Sequence, residues 1–165
     1  MKIYDVENAV FEFVSKESAS LGVKASSVYW TQLGKPIPPK PYVAMDWTTG
    51  PVAIGFDDVR QVSNGKYEVV GQRRASLQLT ACGDAAFEIA NQLVTAMNRP
   101  TALERLRARG VGIMRRGSVA DASILTDTEY QNRARIEFEI SFVHSVSDDL
   151  NWIEDAEVNG QPVNP

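Results

Sequence analysis

Residues 132–146 read NRARIEFEISFVHSV, and the prediction of the fold is based first on this pattern. Apolar side chains occupy every second position from Ala134 to Phe142, and the positions between them are charged or hydroxylic. Because successive side chains of a strand point to opposite faces, the pattern predicts a long strand with one buried and one polar face. His144 continues the buried series, so we interpret it as the end of a core face rather than a general base.

A second long strand is predicted over 66–81, which reads KYEVVGQRRASLQLTA and alternates in the same way. The pair Asn64-Gly65 precedes it and is a strong turn signal. Strands of a parallel sheet covered on both faces would be apolar throughout, whereas these strands keep one polar face. The sequence therefore predicts an α+β fold, in which a mixed, mainly antiparallel sheet has helices packed on one face.

Three amphipathic segments supply the helices, which are predicted over 4–21, 84–97 and 101–109. Asp84 is the expected N-cap of the second helix, and Thr101 with Glu104 has the spacing of a capping box for the third. The remaining predictions are short strands over 28–31, 42–47 and 111–114, an extended arm or hairpin over 48–65, a turn-like segment over 118–127 and a flexible tail over 159–165. With 165 residues, 44% of them hydrophobic, and no long linker, 1–165 is predicted to be a single domain.

The composition argues against disulfide bonds, metal sites, phosphate-binding loops and catalytic sites. One cysteine, Cys82, and one histidine, His144, exclude an internal disulfide and any zinc site built from several such ligands. The glycines form no phosphate-binding motif, and adjacent acids such as Asp57-Asp58 and Asp148-Asp149 are a weak signal for a cation. We therefore predict no catalysis, no metal and no cofactor. No apolar run approaches the roughly 20 residues of a membrane span, so we also predict no membrane partner and a reducing, soluble setting.

Charge is distributed unevenly along the chain. Residues 99–116 hold six arginines against Glu104 alone, a net charge of +5, whereas 117–165 carry a net charge of −8. One hypothesis is that a positive and a negative face meet in a head-to-tail assembly; the alternative is that both runs are solvated or pair within one chain. The candidate interface residues are Asp57, Asp58, Arg60, Arg73, Arg74, Arg105, Arg107, Arg109, Arg115, Arg116, Glu137 and Glu139. Binding of DNA phosphates by the same arginines ranks lower, because positions 105, 107 and 109 diverge around a helix and the chain is acidic.

Several segments together resemble a known family. They are Pro38-Pro39-Lys40-Pro41-Tyr42, the run from Gln72 to Leu79 leading into Gly83-Asp84-Ala85, the junction from Leu106 to Ile113, and Val119-Ala120-Asp121-Ala122-Ser123 followed by Asp127-x-Glu129-Tyr130-x-x-Arg133-Ala134. This combination is similar to the neck or tail terminator (tail-completion) proteins of tailed bacteriophages. Cys82 stands where members of that family often have an aromatic residue.

The resemblance implies a virion protein, assembled in the host cytoplasm, without enzymatic activity. It implies a homohexameric ring that caps the tail tube protein and joins it to the head-tail connector protein, while DNA passes through the lumen without sequence-specific binding. One alternative is a tail-tube or baseplate component. Another is a small soluble enzyme or ligand-binding domain with a pocket around His144 and Trp152.

Overall fold

The computed structural model describes residues 2–34, 36–63, 65–126, 129–149, 156–158 and 161–163. Within these residues the helices are α1 (Ile3–Ser18), α2 (Ala86–Ala96) and α3 (Pro100–Ala108), and short 3₁₀ turns occur at Ala19–Leu21, Ala25–Ser27 and Thr31–Leu33. The strands are β1 (Val28–Trp30), β2 (Tyr42–Ala53), β3 (Asp58–Ser63), β4 (Lys66–Cys82), β5 (Val111–Asp121), β6 (Ile124–Thr126), β7 (Glu129–Gln131), β8 (Arg133–Asp149), β9 (Ala156–Val158) and β10 (Gln161–Val163).

The two long strands predicted from the alternating patterns form the centre of one sheet. Its order is β1-β2-β4-β8-β5, with β3 beside the first part of β4. Only β1 and β2 are parallel, and the other pairs in this sheet are antiparallel. The prediction of a mixed, mainly antiparallel sheet in an α+β fold is therefore confirmed. β4 and β8 pair along their whole length, from Lys66 opposite Asp149 to Cys82 opposite Arg133.

The register brings the apolar series of the two strands together. Leu77 lies opposite Phe138 and Leu79 opposite Ile136, and all four side chains are buried. The inner sides of the helices complete this core, with α2 packed on the sheet and α1 packed on α2 and α3. On the other face of β4, the side chains between Gln72 and Thr80 are half-buried or exposed. The helices thus cover one face, as predicted, and we call the other the uncovered face.

The predicted starts of α2 and α3 were wrong. Asp84 does not cap α2, because a turn closed by a hydrogen bond from the Ala86 amide to the Gly83 carbonyl precedes the helix, which begins after Ala85. Thr101 is not an N-cap either. The helix α3 begins at Pro100, so Thr101 is already its second residue. The fixed φ of proline suits the first position of a helix, and its missing N–H would have no partner there in any case.

Two strand predictions were too short. β2 continues to Ala53 through two register shifts, and β5 continues to Asp121 through two more. The segment 118–127 was therefore wrongly predicted as turn-like, because it contains the end of β5 and all of β6. Each register shift is a β-bulge, which interrupts the alternation of apolar and polar side chains from which strands were predicted. The backbone of β2 still pairs with β4 beyond the bulges, and that of β5 with β8.

Beyond the helix-covered core, three strands continue as a projection that we call the arm. It consists of β3, Lys66–Val70 of β4 and Ser145–Asp149 of β8. None of its described side chains is buried. At the strand rise of about 3.3 Å per residue, the arm extends roughly 15 Å from the core. The region 48–65 contributes the end of β2 and all of β3 to this part of the fold.

At the C-terminus, β9 and β10 form a separate antiparallel pair. The predicted flexible tail, 159–165, lies outside the described residues apart from β10. Trp152, which the alternative enzyme hypothesis invoked, and Asn64 of the predicted turn also lie outside them.

Candidate interaction surfaces

An ion pair fixes the chain at the base of the arm. Arg73 donates from Nη1 and Nη2 to the two carboxylate oxygens of Asp57, each at 2.6 Å. Gly71 makes room for this pair, since a Cβ atom there would overlap the Asp57 carboxylate and the Arg73 guanidinium. The hydrogen bonds from Arg73 lower the pKa of Asp57, and the positive charge of Arg73 lowers it further. The pair therefore joins the link between β2 and β3 to the central strand.

The arm presents an apolar surface that the sequence analysis did not identify. Val59, Val69 and Val146 lie opposite one another on three neighbouring strands, so their side chains share one face. Val59 is 62% exposed and Val146 51%. Val62 and Phe56 add further exposed apolar area, and Phe56 is fully exposed. The alternation in 66–70 predicted which side chains of β4 share the face of Val69. It did not predict that β3 pairs with β4, and this pairing places Val59 beside Val69.

A second apolar surface lies at the opposite end of β8. Strands β6 and β7 form a hairpin, which we call the acidic hairpin, between β5 and β8. Leu125 lies directly opposite Tyr130, and the two are 74% and 64% exposed. Ile124 is also exposed. Residues 117–132 contain three acids and no basic residue, so this apolar tip has acidic surroundings in the sequence.

The helix layer contains a groove between α1 and α3, with a volume of about 330 Å³. Ala9, Phe13, Leu106 and Ala108 provide its apolar lining. The charged side chains that line it are Glu12, Lys16, Arg105 and Arg109. Arg109 binds both oxygens of Glu12, at 2.7 and 2.8 Å, across the helix pair. We call this feature the α1–α3 groove.

The predicted interface arginines of α3 are partly engaged within the chain. Arg105 and Arg99 both donate to Glu17, whose carboxylate is only 5% exposed. Arg107 and Arg109 are exposed, and Arg109 pairs with Glu12 as described above. The acids that bind the basic run here belong to α1, not to the acidic segment 117–165.

The uncovered face brings together four more of the predicted residues. Glu139 lies opposite Arg115 on β5 and opposite Ser76 on β4. Two shallow depressions of about 200 and 250 Å³ both border Ser76 and Glu139, one beside Arg115 and the other beside Arg74. Glu137 follows the same strand face. This surface therefore alternates positive and negative groups instead of presenting one sign of charge.

The other predicted residues lie apart from these clusters. Arg116 is on the helix side of β5 and donates from Nε to the Met97 carbonyl at the end of α2, at 2.9 Å. Asp58 and Arg60 pair with each other on β3, and both are 65% exposed. The twelve predicted interface residues thus do not form one surface. They are divided among the helix layer, the uncovered face and the arm with its base, and Arg116 contacts the end of α2 instead.

The described residues hold no cluster of metal-ligating side chains. No group of three or more His, Cys, Asp or Glu side chains in that part of the chain is placed to hold a metal ion. Cys82 is buried at the end of β4, where its neighbour Tyr42 has a pKa raised by burial and by Cys82. The helices described are all too short or too polar to cross a membrane.

Comparison with known proteins supports the resemblance to phage neck terminator proteins that the sequence motifs suggested. A search of curated proteins finds no match to this chain. The family model of the phage neck terminator protein, however, matches residues 5–165. That range includes the sheet, α2, α3, all of α1 except its first two residues, the arm and the acidic hairpin. A phage neck terminator is a structural component of the virion, which points away from enzymatic activity, and the chain belongs to the phage neck terminator family.

Proposed function

We propose that this chain forms a homohexameric ring that caps the tail tube and joins it to the head connector, with DNA passing through the lumen. The observation that carries the proposal is the apolar surface of the arm. Val59 and Val146 are 62% and 51% exposed on strands that project beyond the core. Exposed apolar surface of this kind marks a protein-interaction site.

The backbone of the arm supports the same conclusion. Among the described residues, β3 pairs only with β4, so its other edge offers unpaired N–H and C=O groups. An exposed edge with apolar side chains is a template for another chain and favours aggregation unless a partner covers it. A neighbouring subunit or the tail tube covers the arm in the assembled neck.

A ring also requires two unlike contact surfaces on each subunit, since a heterologous contact is what closes by rotation. The chain offers unlike surfaces in the arm, the acidic hairpin and the helix layer. Its formal charge of −4 and the alternating charges of the uncovered face disfavour tight binding of DNA phosphates. A lumen with these properties lets DNA pass without holding it.

Complementation of a phage that lacks this protein tests the proposal. The variant V59D/V146D puts charges on the arm, and V59T/V146T is the matched control that keeps the shape and the β-branch. We expect wild type and control to restore joined particles, whereas V59D/V146D leaves heads and tails unjoined or tails of uncontrolled length in electron micrographs. Normal particles with V59D/V146D would overturn the role of the arm.

Light scattering of the purified proteins identifies what the arm binds. If V59D/V146D forms hexamers but does not join tails, the arm contacts the tube. If it stays monomeric while the control assembles, the arm contacts a neighbouring subunit. A wild-type chain that is monomeric both alone and on purified tails would overturn the ring.

A further inference from the structure

We propose that the acidic hairpin of one copy inserts Leu125 and Tyr130 into the α1–α3 groove of a second copy, and that this contact links the subunits. The inference rests on the proposed ring, and it names the two surfaces that meet. Leu125 and Tyr130 are adjacent across the hairpin and are among the most exposed large apolar side chains of the chain. Such side chains become buried only through a contact with another molecule.

The groove fits such an insertion. Phe13 and Leu106 contribute apolar lining, and they are 6% and 4% exposed. Its volume of about 330 Å³ is at the lower end of the range for ligand pockets, which suits two adjacent side chains. Burial of an apolar anchor in a pocket is the usual source of binding energy at a protein interface.

The charges of the two surfaces are complementary. Three of the four charged side chains that line the groove are basic, namely Lys16, Arg105 and Arg109, and the fourth is Glu12. The sequence of β6, β7 and the residues between them, 124–131, has two acids and no basic residue. Opposite potentials steer the encounter and disfavour the like-charged pairings of groove with groove or hairpin with hairpin.

The contact must form between copies. Ala108 and Arg109 of the groove immediately precede β5, whereas the hairpin follows it. The 11 residues of β5 hold these surfaces apart by roughly 30 Å, because a strand rises about 3.3 Å per residue. A hairpin that cannot reach its own groove can reach that of a neighbour, and this head-to-tail contact repeats around a ring.

Crosslinking tests the contact directly. The variant A108C/L125C places one thiol at the groove and one on the hairpin, and a short bismaleimide joins thiols that come close. Cys82 is 2% exposed, so we expect it to stay unreactive in the folded chain. The matched control D46C/L125C moves the first thiol to an exposed position of β2 on the uncovered face. We expect a ladder of covalent oligomers up to six from A108C/L125C and no ladder from the control.

A second pair of variants measures the apolar anchor. Leu125→Ser removes it, and Ile37→Ser alters an apolar residue that is 69% exposed elsewhere on the chain. We expect Leu125→Ser to raise the assembly concentration about tenfold or more, while Ile37→Ser leaves it unchanged. Both side chains are exposed, so thermal melting should show that each variant folds normally.

The outcomes separate this inference from the proposed function. Hexamers that form without a ladder from A108C/L125C, or that tolerate Leu125→Ser, overturn the hairpin contact and leave the ring standing. A wild-type chain that never assembles overturns the ring and this contact together.

Discussion

Gly71 lies beneath the carboxylate of Asp57, in a space that no other residue type would leave open. The carboxylate binds both terminal nitrogens of Arg73 across this space. One glycine therefore allows an ion pair to lie flat against β4, where the covered core gives way to the arm. The link between β2 and β3 is held at this position, and so is the start of the arm.

Gly71→Ala should release this link without unfolding the protein. The new Cβ would collide with the ends of the Asp57 and Arg73 side chains, which are free to rotate away. We expect faster hydrogen exchange and easier proteolysis at residues 54–58, with a fall in melting temperature no larger than that caused by Asp57→Asn. Gly50→Ala is the control, because nothing lies within 4 Å of its new Cβ. Unchanged protection at 54–58 would contradict the proposed role of Gly71.

Gly117→Ala should be far more damaging. Its Cβ would collide with the backbone carbonyl of Glu137 on the neighbouring strand, and a backbone cannot rotate away as a side chain does. The residue lies between the Arg116 and Val119 pairings, where the register of β5 shifts. We expect a loss of about 1–3 kcal/mol or more in the free energy of unfolding, measured by urea denaturation. Stability equal to that of Gly50→Ala would show that the bulge relaxes without cost.

The same bulge explains why part of the fold was not predictable. In β4 and β8 the alternation continues without interruption, so the sequence predicted both strands and their buried faces. β5 contains Arg115, Arg116, Gly117 and Ser118 in succession, and this run has no period of two. Its pairing is decided by β8 across backbone hydrogen bonds, which local sequence does not encode.

The candidate surfaces were predictable only in part. The uneven charge drew attention to Arg105 and Arg109, but it did not show that Glu17 and Glu12 of α1 bind them. Leu125 and Tyr130 are isolated apolar residues among polar ones in the sequence. Their importance follows from the hairpin that places them face to face, and that pairing is a tertiary feature.

Glu17→Gln should destabilise the helix layer. The Glu17 carboxylate is 5% exposed and accepts hydrogen bonds from both Arg99 and Arg105. Removing its charge leaves two guanidinium groups without a counterion, although they are 45% and 40% exposed and water compensates in part. We expect a loss of about 1–3 kcal/mol in the free energy of unfolding.

Glu12→Gln provides the control for that measurement. Glu12 and Arg109 are 54% and 60% exposed, so their ion pair is screened by solvent and contributes about 0–1 kcal/mol. Chemical denaturation of both variants in the same buffer gives the comparison. Equal losses for Glu12→Gln and Glu17→Gln would show that burial of Glu17 adds nothing to its ion pairs.

The Asp57–Arg73 pair should make part of the stability depend on pH. Arg73 lowers the pKa of Asp57 below its ordinary value of 3.8, so folding favours the ionised carboxylate. This stabilisation is complete above the ordinary value and is lost as the pH falls through the lower value of the folded state. The difference in melting temperature between wild type and Asp57→Asn should shrink as the pH falls below about 4. A difference that grows below about pH 4 would contradict this linkage.

Cys82 should react with thiol reagents only when the core opens. Its side chain is 2% exposed, and it pairs with Tyr42 on one side and Arg133 on the other in the sheet. Exposure of the Cys82 thiol requires β4 to separate from the neighbouring strands. We expect negligible labelling in native buffer and complete labelling in denaturant, with a labelling rate at intermediate urea that follows global unfolding. Rapid labelling of the native chain would mean that this end of the sheet opens locally, and crosslinking would then require the Cys82→Ala background.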